Sequence, residues 1–209
     1  MSVTPDLHEP PGAAPEAQDE KEPGRARIAF VGTIVPKKGL HRALELLWPD
    51  RHRIDLDIYG PIGDPAEWAR CRALLDRCEA DVRWRAHGAI AHDEVATVLA
   101  AADLCILPTL GENYGYVIAE ALAAGCPVLI SDQTPWRGLA ADGCGWDLPL
   151  EPEQAWRDRV AEVVGWDERA RARARTAAVR RADRARGESV AAAGAWRTLI
   201  EDAARSGRR

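Results

Sequence analysis

Two glutamates, Glu112 and Glu120, stand eight residues apart around one loop-to-helix junction, 108-PTLGENYG-115 followed by 116-YVIAEALAA-124. A separation of about 12 Å, from ~1.5 Å of rise per helical residue, is too wide for two carboxylates to share a proton or to grip one metal ion. It suits two hydroxyl-bearing rings lying on either side of a diphosphate, each donating hydrogen bonds to one carboxylate. The backbone N–H groups of Asn113, Tyr114 and Gly115, at a helix entrance, are the kind that receive phosphate. A plainer reading makes Glu112 a first-turn acid that complements the helix dipole and Glu120 part of a solvated face. Glu120, however, interrupts an almost wholly apolar helix, where a buried charge without a partner is costly, and that favours a ligand.

A second loop, 32-GTIVPKKG-39, brings Lys37 and Lys38 to the entrance of another helix, with Gly32 open to close approach. Its Lys-Gly order is not that of a Walker loop, and the G-x-G-x-x-G of dinucleotide folds is missing. Alone, it reads equally as a β–α turn with surface lysines. In a third loop, 87-HGAIAH-92, the spacing of His87 and His92 raises metal binding, but His87 ends a strand and His92 stands where it could cap the next helix. A backbone-lined slot for a flat base, bordered by Gly88 and Ile90, fits better.

These loops need elements to hold them. Short apolar runs predict strands over residues 27–31, 54–59, 82–87, 104–107, 128–130 and 145–148. Helical patterns fall at 40–48, 65–78, 93–101, 116–124 and 135–140, the last starting from a Thr134 N-cap and Pro135 in the first turn. Strands apolar throughout and alternating with helices predict a doubly wound, mainly parallel α/β sheet. Its ligand crevice lies beyond the carboxyl ends of the strands, where all three loops fall. Further helices are expected at 152–164, 167–186 and 188–205, with Gly187 as the break; the last would present Trp196, Leu199 and Ile200 to this domain or to a partner.

Composition bounds the rest. With 209 residues and 46% hydrophobic content, the chain supports one core-bearing domain and excludes global disorder. No apolar run is long enough to span a bilayer, and the N-terminus lacks the pattern of a secretion signal. Five cysteines without a C-x-x-C pair read as reduced thiols in a cytoplasmic protein. Residues 1–26 hold six acids against Lys21 and Arg25 and are Pro-rich, which predicts a disordered tail. Residues 167–209 hold twelve arginines against six acids. These cations alternate with Ala and acids without interleaved aromatics, so they read as a solvated helical face and not as a nucleic-acid surface, with peripheral membrane contact a minor reading. The divisions are therefore 1–26 (tail), 27–166 (α/β domain) and 167–209 (Arg/Ala-rich helices).

Together these residues carry a resemblance. Gly32-Thr33 with Lys38-Gly39, the acidic pair Glu112 and Glu120 with seven residues between, and Ala121-Leu122-Ala123-Ala124-Gly125-Cys126-Pro127-Val128 resemble the donor-binding, C-terminal half of retaining GT-B glycosyltransferases, group 1 or family 4. The similarity runs over residues 28–150 and is most specific over 111–136. It implies a Rossmann-like half of a GT-B enzyme that binds a nucleotide-diphospho-sugar without metal or other cofactor. It implies Glu112 and Lys38 as the catalytic groups: Lys38 neutralising the diphosphate, and Glu112 holding sugar hydroxyls beside the N–H groups of Asn113, Tyr114 and Gly115. It implies further that Glu120 takes the ribose diol, that Gly88 and Ile90 border the base, and that Gly32 and Thr33 line the donor.

Thr33 departs from the arginine usual in that family, a loss of roughly 1.5–3 kcal/mol of charge-assisted bonding unless Lys37 compensates. The family's acceptor domain has no counterpart in this sequence, so transfer would require a separate acceptor-domain subunit. The alternative is a catalytically inactive nucleotide-sugar-binding or interaction module.

Overall fold

The computed structural model describes residues 24–47, 53–77 and 82–206, with side chains as far as residue 189. The predicted tail falls almost wholly outside these residues, as do Cys78 and the side chains of Trp196, Leu199 and Ile200.

Six parallel strands form one sheet in the order β3-β2-β1-β4-β5-β6: β1 Ala26–Val31, β2 Ile54–Tyr59, β3 Val82–Gly88, β4 Leu104–Leu107, β5 Val128–Ser131 and β6 Gly145–Leu148. The strands predicted from sequence are all present. β4 (LCIL) and β5 (VLIS) are buried at every position because helices cover both faces. β3 lies at an edge, and there buried Val82 and half-buried Trp84 alternate with exposed Arg83 and Arg85. In β2 the acids Asp55 and Asp57 are tolerated because each has a cationic or imidazole partner: Arg25 at 3.1 Å and His87 at 2.7 Å.

Helices α1 (Leu40–Leu47), α2 (Pro65–Leu75), α3 (His92–Ala101) and α4 (Tyr116–Ala123) make the crossovers. The chain first runs outward, β1 to β3, then α3 carries it back so that β4 pairs with β1. Strand order therefore reverses between β1 and β4, and the crevice at that reversal is framed by the loops after those two strands.

The segment leading into helix α6 (Glu153–Val164) is fastened to α1 through Arg42, which donates to Leu150 O and to Glu151. Trp156 of α6 is fully buried and donates to Pro149 O at 2.8 Å. Helix α7 (Glu168–Ser206) packs against α4, and its Ala174, Ala177, Ala178 and Ala182 are buried in the domain. Its arginines bind the body of the domain. Arg175 donates to Ala100 O (2.7 Å) and Ala102 O (2.9 Å), Arg171 pairs with buried Asp103 (3.2 Å), and Arg181 and Arg184 both hold Asp142. The solvated-helix reading of this charge run thus needs an amendment: several of the cations are structural.

Three boundary expectations give way to tertiary structure. Residues 135–138 are not helical. Thr134 Oγ1 accepts from Trp136 N (3.2 Å) in a turn, and α5 (Leu139–Asp142) begins only after Gly138. Its first amides are bonded by a distant residue, Asp147 of β6, whose carboxylate accepts from Gly138 N (3.2 Å) and Leu139 N (3.0 Å). Gly187 does not break α7, which runs through it. His92 is not a cap: Ala91 is the N-cap, and the Glu94 carboxylate accepts from its N–H at 2.8 Å.

Candidate donor site

The Lys38-Gly39 pair of the β1–α1 loop has a mechanical reason. Residues Pro36–Lys38 form a 3₁₀ turn closed by Gly39 at φ 75°, and a Cβ on Gly39 would lie 2.3 Å from Pro108 O. Only glycine lets this turn sit flush against the end of β4. The two loops are then stitched together. Leu110 N (2.8 Å) and Thr109 Oγ1 (2.9 Å) both donate to Lys37 O, and Gly111 N donates to Thr109 Oγ1 at 3.2 Å.

This stitching places Lys38 beside Glu112. The ammonium and carboxylate meet at 2.5 Å, with side-chain exposures of 25% and 12%, so the pair is largely shielded from water. Thr109 Oγ1 lies 3.4 Å from the same carboxylate oxygen. Gly32 is next to this cluster: a Cβ there would lie 3.9 Å from Lys38 Cδ. Thr33 is exposed and turned elsewhere, its methyl group against Gly63 of the β2–α2 loop. Lys37 is exposed, passes over Gly111 with its Cε, and has no ion-pair partner among the described residues.

Beyond Glu112 the chain enters α4 through Gly115, at φ 78°, with no side-chain cap. A Cβ on Gly115 would approach Ile118 Cδ1 to 2.8 Å. Glu112 N is consumed by Gln133 O (3.0 Å), whereas the N–H groups of Asn113, Tyr114 and Gly115 donate to no acceptor among the described residues. They present the positive end of α4 between the two glutamates.

Glu120, one turn into α4, is 31% exposed, with His92 Nδ1 3.7 Å away at the start of α3. The sequence expectation of a buried, partnerless charge is corrected: Glu120 is partly exposed and has a histidine beside it, at the end of the β3–α3 loop. That loop supplies Gly88, at φ 69° with open space where a Cβ would be, and half-buried Ile90. His87 has internal partners. Its Nε2 is bonded to Asp57 (2.7 Å) and its ring stacks on Tyr59 at 4.4 Å. Among the described residues no three His, Cys, Asp or Glu side chains gather as a metal site.

The candidate residues thus form two groups on one sheet edge. Gly32, Lys38 and Glu112 lie over β1 and β4; Glu120, Gly88 and Ile90 lie toward β3; the free amides of α4 stand between. Sequence reasoning missed the groups that hold this geometry. Ser131 Oγ donates to Thr109 O at 2.5 Å, and Trp136 Nε1 donates to Tyr114 O at 2.7 Å, so β5 and the segment after it carry the β4–α4 loop from behind. A hydroxyl at or just past the end of each of two apolar strands, Ser131 closing β5 and Thr109 two residues after β4, is the available signal.

The fold is a Rossmann-like α/β domain with a crevice at its strand-order reversal, the architecture of one half of a GT-B glycosyltransferase. The chain belongs to the family "Glycosyl transferases group 1", whose sequence profile matches residues 15–180. It is 35% identical over 108 residues to a D-inositol 3-phosphate glycosyltransferase of Corynebacterium efficiens, covering 49% of this chain and 26% of that protein. It is 32% identical over 122 residues to a glycogen synthase of Mycobacterium tuberculosis, covering 56% and 28%. Among solved structures, WaaG, a glycosyltransferase of lipopolysaccharide biosynthesis, superposes with a TM-score of 0.61 at 24% identity, over 78% of this chain and 44% of that one. HepE of Anabaena, solved with UDP and glucose, gives 0.59 at 18% identity over 77% and 44%. The matches therefore span about a quarter of these curated relatives and under half of these solved chains.

Proposed function

We propose that this chain binds a nucleotide-diphospho-sugar at the β1/β4 crevice and serves as the donor half of a retaining glycosyltransferase, with the acceptor held by a separate domain. The observation that carries the reading is the row of unbonded N–H groups, Asn113 to Gly115, aimed between Lys38–Glu112 on one side and Glu120 on the other. Such a row accepts the diphosphate, and the flanking carboxylates accept hydroxyl donors from the two rings it joins. UDP and UDP-glucose, the ligands named with the Anabaena structures, are the first probes to try.

In the proposed reaction the anomeric C–O bond to the diphosphate breaks while an acceptor hydroxyl bonds to the same carbon from the same face. Charge accumulates on the leaving diphosphate, where the α4 amides, Lys38 and exposed Lys37 stabilise it in the role a divalent cation fills elsewhere. Glu112 orients the sugar through its hydroxyls, Glu120 holds the ribose diol, and Gly88 with Ile90 borders the base. The departing phosphate oxygen takes the acceptor proton, so this half needs no side-chain base. Thr33, turned to Gly63, supplies no charge to the diphosphate and favours a second reading, a binding module without turnover.

Calorimetric titration with UDP, GDP and their sugars tests the site. One nucleotide should bind in the micromolar-to-millimolar range, with Glu120→Ala weakening it tenfold or more. Failure of every nucleotide to bind rejects the reading. EDTA should leave the affinity within twofold. The purified chain alone should transfer no sugar; turnover restored by an acceptor-type domain separates the enzyme reading from the binding module.

A further inference from the structure

The Lys38–Glu112 bond joins two groups that, on the donor reading, serve different parts of the ligand. Lys38 Nζ reaches Glu112 Oε1 at 2.5 Å, and the carboxylate is 12% exposed. Its other protein neighbour, Thr109 Oγ1, is 3.4 Å away and donates at shorter range to Lys37 O, 2.9 Å. Lys38 is therefore the principal counter-charge of a carboxylate mostly removed from water.

We propose that this pair makes the site discriminate between a nucleotide-sugar and the bare nucleoside diphosphate, favouring the first, so that the product of transfer is the weaker ligand. The inference rests on the donor reading. A diphosphate that draws on Lys38 competes with Glu112 for the same ammonium, and the further it pulls Nζ toward itself the more it weakens the bond to the carboxylate. Shielded carboxylates that lose their partner are strongly disfavoured. A nucleotide-sugar repairs the loss at once, because sugar hydroxyls donate to Glu112 as the ammonium leaves. A nucleoside diphosphate has no such donors, and its terminal phosphate brings negative charge beside the released carboxylate. The cost of opening the pair thus falls on the product and is offset for the donor.

The test compares UDP with UDP-glucose, and GDP with GDP-mannose, by calorimetry on the whole chain as wild type, Glu112→Gln and Glu112→Ala, each first checked for an unchanged folded spectrum and melting curve. Wild type should bind the nucleotide-sugar about tenfold or more tightly than the matching diphosphate. Glu112→Gln keeps the shape of the side chain but frees Lys38. It should tighten the diphosphate about fivefold or more and weaken the nucleotide-sugar, bringing their affinity ratio to one or below. Glu112→Ala should move the ratio the same way, so that misfolding of either variant leaves the other to decide. Diphosphate affinity unchanged within twofold, or weakened, in a folded variant overturns the inference while leaving the donor reading intact; that result means Lys38 stays on Glu112 and the phosphates are held by the α4 amides and Lys37. A wild type that binds no nucleotide removes the donor reading and this inference with it.

Discussion

Gly39 shows how much of the site hangs on one residue. Its position requires a left-handed backbone and leaves no room for a Cβ against Pro108 O, so Gly39→Ala combines backbone strain with a collision against main chain. We expect this substitution to cost about 2–4 kcal/mol by denaturant unfolding and to loosen the loop that delivers Lys38. The mirror case is Ser131, fully buried beneath the β4–α4 loop. Ser131→Ala removes a buried bond to Thr109 O, and about 1–2 kcal/mol of stability should go with it. At this scale the sequence was legible wherever chemistry is local. The types and spacing of Lys38, Glu112 and Glu120 pointed to one sheet edge, and the loops and helix that carry all three do lie beyond the carboxyl ends of β1 and β4. It was not legible where two loops touch. Nothing in residues 32–39 announces that Lys38 will spend its charge on a carboxylate seventy-four positions away.

Elements were read well where burial is unambiguous and poorly where local rules compete with packing. Strands such as LCIL and VLIS are hydrophobic on both faces and have no other stable use in a short stretch. Thr134-Pro135, in contrast, has the signature of a helix start, yet the hydroxyl closes a turn, and α5 begins later, capped by Asp147 from β6, which local sequence cannot show. Gly187 has the signature of a helix stop, yet α7 continues. That difference is measurable. In a continuous, exposed helix, Gly187→Ala should stabilise the chain by about 0.5–1 kcal/mol and raise its helical signal. A glycine that truly ended one helix in a left-handed conformation would give the opposite sign.

Across the whole molecule, burial controls the behaviour of groups outside the site. Loss of water pushes the thiols of Cys71 and Cys105 up to about 12 and that of Cys144 to about 11, and Cys126 is likewise raised well above the ordinary range. Tyr59 rises to about 12, through burial first and neighbouring Asp57 second. In each case the folded state holds its proton more tightly than the unfolded chain does. The associated stability is complete below about pH 9 and is lost as pH climbs through 11 to 12. Urea midpoints should therefore be flat from pH 7 to 9 and fall steadily above it. These four thiols should resist alkylation until the chain unfolds. No helix among the described residues is long and apolar enough to cross a membrane.

The arginines of α7 bear on where this polypeptide can be shortened. Arg171 and Arg175 act as clasps on the far end of α3, and Arg181 with Arg184 on the end of α5. Trimming at residue 166 would take Arg171 from Asp103, both arginine partners from Asp142 and the Arg175 donors from two main-chain oxygens, and would uncover the side of α4 that α7 packs against. Anyone cutting this protein down for crystallisation should place the scissors after Arg184.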